Sequence, residues 1–301
     1  MLLRRSDRDS ERGGNGLADA ERATENARRL IEIGDRPVLA RSLASQALRS
    51  LGLCRLQTGG DPAREFAEAV VMAQEVIRQS AANTSSLAWG VFIAAAQVEA
   101  DLAEGRVPGA ALATGTGWAE SLLAAQPGNL MVSAQVGEWT LWRARAEALA
   151  GRDPGPLLTR AERLLLAPAR AGNVTPLTWQ RLAEAALERA AWARSHKGNP
   201  LRFLKEAQEH ARHLQKGDPE SCEGPLLEAR ALLAQGQRDR ALPPAERAVA
   251  LNPRSASAWL TLAQVQDAAG QKGAARTAAE RARALLPRLA GLKELRSHLG
   301  P

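Results

Sequence analysis

The chain has 301 residues, 45% hydrophobic and 24% charged, a balance that excludes a disordered or collagen-like polymer. Alanine and leucine dominate and β-branched runs are absent, so no strand is expected and the chain reads as all-α. The net charge is +7, and much of it sits in residues 270–301, where Lys272, Arg276, Arg281, Arg283, Arg288, Lys293 and Arg296 face only Glu280 and Glu294.

Residues 1–12 form a short, highly charged segment. They fall where the end of a repeat's first helix belongs, so the chain is expected to be the C-terminal part of a longer polypeptide. From 13 to 219 the sequence repeats every 46 residues. Pro62, Pro108, Pro154 and Pro200 mark the period, and Gly59, Gly105 and Gly151 precede the first three by three residues. The fourth unit has Gly198 one position later. Each proline is followed four residues on by Phe66, Leu112, Leu158 or Leu204, and seven on by Ala69, Gly115, Ala161 or Ala207. Fixed self-similarity at this length is the mark of stacked helical hairpins.

In chain order, a helix is expected over 17–33, with Ala20, Ala23, Ala27 and Leu30 on one face. Gly34-Asp35-Arg36-Pro37 then opens a helix to about residue 58. The next pairs are 62–80 with 85–104, 108–125 with 129–150, and 154–167 with 176–196, before a helix at 200–216. Glycine ends the first helix of each pair, Asp61 or Asn199 caps the second, and proline takes its first position. From 220 to 288 the period shortens to 34, with Pro219, Pro253 and Pro287, and with Gly236 and Gly270 each 17 residues before a proline. Gly151 and Pro168 share that offset, so Pro168 is expected just beyond its helix. Residues 289–301 carry Leu289, Leu292, Leu295 and Leu299 and read as a capping helix.

The 34-residue units resemble the tetratricopeptide repeat. Trp259, Leu262, Ala263, Gly270, Ala275, Ala279, Ala282 and Pro287 stand at that family's packing, turn and stop positions. The preceding unit matches with Ala229, Gly236, Ala241, Ala248 and Pro253, and has Pro225 in place of the tryptophan. The resemblance implies a right-handed α-α superhelical solenoid. The longer units, with Gly59-Gly60-Asp61-Pro62 and the stretch from Arg143 to Pro168, resemble the helical tails of bacterial serine/threonine protein kinases. That implies a regulatory or substrate-recruiting module in a bacterial cytoplasm.

No catalytic function is expected of this chain, and no cofactor or metal. There is no phosphate-binding glycine loop after a strand, no kinase lysine or catalytic-loop motif, and no nucleophile elbow. His210 and His213 share a helix near Cys222 but lack a metal-ligand pattern, and carboxylates mostly sit beside arginines, as surface pairs do. The two cysteines, Cys54 and Cys222, have no local partner and suit a reducing compartment, and no apolar run is long enough to enter a membrane. The seven tryptophans read as knobs between helices, with Trp139 and Trp142 placed to share a face.

A protein or peptide partner is expected, held in the concave face. In the repeat family's chaperone adaptors a basic clamp there holds a C-terminal carboxylate. The matching positions here are Leu226 and Arg230 in one unit and Leu260 and Gln264 in the next, so the clamp is not reproduced. Arg145 falls at the repeat position of Arg230, and both are expected to face the groove. The alternatives are a regulator whose basic C-terminal end meets nucleic acid or an acidic partner, and self-assembly by end-to-end stacking. No aromatic residues interleave with the basic end, which argues against nucleic acid.

Overall fold

The computed structural model describes residues 16–57, 60–80, 83–172 and 175–300. Gly59 and the charged segment 1–12 lie outside the described residues. Among those described there are fourteen helices and no strand. In order they are α1 (Leu17–Ile33), α2 (Pro37–Gln57), α3 (Ala63–Gln79), α4 (Thr84–Ala103), α5 (Ala110–Ala125), α6 (Leu130–Leu149) and α7 (Gly155–Arg170). Then follow α8 (Pro176–Ser195), α9 (Leu201–Gly217), α10 (Glu223–Ala234), α11 (Arg238–Leu251), α12 (Ala256–Ala268), α13 (Lys272–Leu285) and α14 (Leu292–Leu299). None is long and apolar enough to cross a membrane.

The chain divides into two compact units, the first ending at Gln135 and the second beginning at Val136, within α6. In unit 1, α1 packs on α2, α2 on α3, α3 on α4 and α4 on α5, and α2 also touches α4. In unit 2 the same pattern runs from α7 to α13, with α8 touching α10 and α10 touching α12. The even-numbered helices therefore form one layer of each unit and the odd-numbered helices the other.

The repeat columns are the crossing points. Phe66, Leu158 and Leu204 are buried, as are Ala69, Gly115, Ala161 and Ala207. Leu112 is only half-buried. Small residues at these crossings let helix axes approach to the closer end of the ~8–10 Å range. Gly137 shows how closely: a Cβ there would lie 2.9 Å from Leu165 Cγ and 3.1 Å from the Leu165 backbone nitrogen. In the last units Ala229, Ala263, Ala241, Ala275, Ala279 and Ala282 are all buried in one core with Leu226 and Leu260. The Trp259 indole donates to the Pro253 carbonyl at 2.8 Å, tying α12 to the turn before it. Leu289, Leu292, Leu295 and Leu299 are buried, and α14 packs on α13 and α12, closing that end.

The turns follow the sequence logic with three differences. Gly105, Gly151, Gly236 and Gly270 are left-handed, and the next residue's N–H reaches back five residues, as in Arg106 to Asp101 and Arg152 to Glu147, both at 2.8 Å. This is the 6→1 bond of a Schellman stop. In the fourth unit the left-handed residue is Lys197, with φ 58°, and Gly198 makes the 2.7 Å back-bond to Ala193. The register of 46 is kept, and the glycine is one place late. The side chains of Asp61, Asp153 and Asn199 each accept from the backbone N–H two residues on, at 2.8–3.0 Å. Pro62, Pro154 and Pro200 stand one residue before the helix rather than inside it. Pro168 does not lie beyond α7: the helix continues through it to Arg170. So close to the end, the proline removes a single bond and its ring is buried.

Lys197→Gly is expected to stabilise unit 2 by about 0.5–1 kcal/mol, because relief of the left-handed penalty exceeds glycine's extra chain entropy. Urea unfolding of the two proteins checks this.

Candidate functional site

The layer of even-numbered helices in unit 2 gathers charge where α6, α8 and α10 run side by side. Arg181 of α8 contacts Glu138 of α6 at 2.7 Å and Glu184, one turn along its own helix, at 3.0 Å. Arg145 of α6 reaches Glu188 at 2.9 Å and Glu184 at 3.2 Å. Both guanidinium groups lie 4.7 Å from the Trp142 ring. Gln180 adds a 3.0 Å hydrogen bond to Glu184. Arg181 and Glu184 are only 8% and 7% exposed, so these are buried pairs rather than the surface pairs expected from the sequence. Burial pushes the Glu184 carboxyl up, but Arg181 and Arg145 outweigh it and hold the group at about 2. Burial likewise opposes the charge on Arg145, yet Glu184 and Glu188 together hold it above its ordinary value.

Arg230 of α10 stands at the same repeat position as Arg145 but in a different environment. Its Nε donates to Thr261 Oγ1 of α12 at 3.2 Å. Among the described residues no carboxylate comes within ion-pair distance of it. Burial, with the like charge of Arg145 adding to it, lowers its pKa against the pull of Glu223, Glu184 and Glu188. Arg145 is thus a satisfied member of a network, and Arg230 a half-buried cation whose charge the protein only partly balances.

The remaining expected groove residues are placed otherwise. Leu226 and Leu260 are 1% and 6% exposed and belong to the core between hairpins. A leucine on that side of α10 or α12 meets the next helix rather than solvent. Gln264 is half-buried, its amide nitrogen close to Gly291 in the turn that leads into the capping helix. Trp139 and Trp142 are buried and form no open cradle, whereas Trp89 is exposed and is not a knob between helices. His210 and His213 flank the Trp179 ring at 5.5 and 4.4 Å. Among the described residues no group of three or more His, Cys, Asp and Glu side chains is set to hold a metal. Cys54 and Cys222 are buried, and burial pushes the Cys222 thiol up to about 12.

Glu138, Arg181 and Glu184 join the site without a motif that marks them in the sequence. Their signal was present as the spacing of Arg181, Glu184 and Glu188 on one helix face. The same spacing also describes a solvated helix.

Residues 226–265 match the tetratricopeptide repeat family model. The fold is a solenoid of tetratricopeptide-like helical hairpins, all-α throughout the described residues. Over 99% of its length the chain is similar to a tetratricopeptide repeat protein from Parabacteroides merdae, at a TM-score of 0.62 and 14% identity, covering 97% of that chain. Yeast Tom70 aligns at a TM-score of 0.48 and 13% identity, over 94% of this chain and 60% of that one. The C-terminal part of a repeat-containing protein from Cytophaga hutchinsonii aligns at 0.41 and 13%, over 97% and 98%. The first shows the fold, and the two lower scores add nothing to it. No curated protein sequence gives a significant match.

Proposed function

We propose that this protein is a non-catalytic scaffold that binds an acidic segment of a partner on the even-numbered helix layer of unit 2. Arg230 carries the reading. A guanidinium half-buried without a carboxylate partner is costly to keep in a protein unless something supplies the missing charge. Its neighbours Arg145 and Arg181 show that this same layer can satisfy an arginine with its own glutamates. A ligand carboxylate at Arg230 would complete the pattern with a charge-assisted hydrogen bond.

Fluorescence anisotropy with fluorescein-labelled hexaglutamate tests this, with hexalysine as control. Arg230→Met is expected to weaken hexaglutamate binding at least tenfold while leaving stability unchanged or slightly higher. Equal binding by both proteins would refute the reading. A role as the recruiting tail of a serine/threonine kinase rests on the sequence resemblance alone.

A second reading has its own observation. All seven cations of residues 270–301 are exposed, and among the described residues only Arg283 and Arg296 of them share an ion pair, with Glu280. A steep fall of binding with salt for a labelled single-stranded DNA, absent for hexaglutamate, would favour nucleic acid at this end.

A further inference from the structure

Thr261 of α12 stands against Arg230 where α10 and α12 touch. It is 0% exposed, and a hydroxyl sealed in a helical core needs a partner. A helical threonine usually finds one by turning back onto its own helix. Thr24, Thr116, Thr140, Thr159 and Thr277 all do so, each donating to the carbonyl four residues earlier at 2.6–3.2 Å. Thr261 makes no such bond among the described residues. Its oxygen is turned to α10 instead and accepts from Arg230 Nε at 3.2 Å.

That bond decides which edge of the guanidinium is left. The planar fork can grip a carboxylate through Nε and one Nη, or end-on through both Nη atoms. Thr261 occupies Nε, so the end-on edge remains. Among the described residues neither Nη donates to the protein, and neither is cut off from solvent. Charge narrows the ligand further. Arg145 and Arg181 are already matched by Glu138, Glu184 and Glu188. Glu223, Glu184 and Glu188 also act on Arg230 from beyond ion-pair distance. One uncompensated positive charge is left, and a single carboxylate balances it. A phosphoryl group, carrying nearly two negative charges, exceeds it and meets the repulsion of those glutamates.

We infer that Thr261 is the positioning residue of this site, holding Arg230 so that its two Nη atoms receive one side-chain carboxylate of the partner end-on. The inference rests on the scaffold reading above and adds the residue that sets its geometry. Recognition then depends on the orientation of a fork and not on positive charge alone, so lysine is no substitute for Arg230.

The test extends the hexaglutamate anisotropy to three further variants of the full chain. Thr261→Val removes the hydroxyl, Thr261→Ser keeps it, and Arg230→Lys keeps the charge without the fork. Thr261→Val and Arg230→Lys are each expected to weaken binding about tenfold, the scale of one hydrogen bond to a charged group, and Thr261→Ser to stay within about twofold. Labelled hexaphosphoserine is expected to bind wild type more weakly than hexaglutamate. Circular dichroism and thermal midpoints establish that each variant is folded. A readout that needs no Thr261 variant is the Arg230 Nε–H in nitrogen-15 spectra of the wild-type protein, assigned by its loss in Arg230→Met and expected to exchange slowly with water. Fast exchange would overturn the inference. So would wild-type affinity in Thr261→Val or Arg230→Lys, an equal loss in Thr261→Ser and Thr261→Val, or hexaphosphoserine binding as tightly as hexaglutamate. If Arg230→Met loses binding and Thr261→Val does not, only this inference falls. If Arg230→Met also binds like wild type, the scaffold reading falls with it.

Discussion

Glu184→Gln is expected to cost about 3 kcal/mol of stability at neutral pH and very little near pH 2. The reason is the network that surrounds this carboxylate. Burial raises its pKa, but Arg181 and Arg145 pull it from 4.5 to about 2. A group whose folded pKa is depressed contributes stability that is complete above its unfolded pKa and is lost as pH falls through the folded value. For Glu184 that window runs from 4.5 down to about 2. Each tenfold change in proton affinity between the folded and unfolded chain corresponds to about 1.4 kcal/mol, hence the expected size. Other depressed carboxylates, Glu75 and Glu147, are at the surface and present in both proteins, so they cancel in the difference. Urea unfolding at pH 7, 4 and 2.5 measures the gap between wild type and variant. A gap that stayed constant with pH would show that the carboxylate's charge is not what the two arginines stabilise.

Leu226→Ala is expected to destabilise unit 2 by about 3 kcal/mol and to leave hexaglutamate affinity unchanged in the folded protein. Leu226 is 1% exposed and packs in the continuous core that α10 to α14 share. Its loss opens a cavity in a region lined by alanines, whose short side chains have no reach to fill it. A groove-lining leucine would behave in the opposite way, losing ligand without losing stability. Leu260→Ala should fall in the same class with a smaller effect, because its side chain is 6% exposed against 1% for Leu226. Unfolding curves combined with anisotropy distinguish the two outcomes.

The fate of Leu226 and Arg230 shows where sequence reading stops. Both occupy positions that a repeat register identifies, four residues apart on one helix. One is core and the other is half-buried beside Thr261. Register places a residue on a helix, but which neighbour covers that face depends on how the next hairpin leans against it. Arg145 and Arg230 make the same point with identical side chains at equivalent positions. One is enclosed by Glu184 and Glu188, and the other meets a threonine, because the helix that follows each presents different residues.

The periodic residues alone determined the class of fold, the hairpin order and most helix limits, since proline, glycine and capping aspartate act through local backbone geometry that no distant contact needs to complete. The columns of alanine at the crossings were legible for the same reason, because close helix packing demands small side chains wherever it occurs. Only the tertiary structure decided which arginines are neutralised, that Trp89 and Phe92 stay in water, and that Lys197 rather than Gly198 takes the left-handed turn. Those outcomes depend on contacts between residues some 40 positions apart, or on a one-residue slip in a turn, and a repeat averages over both.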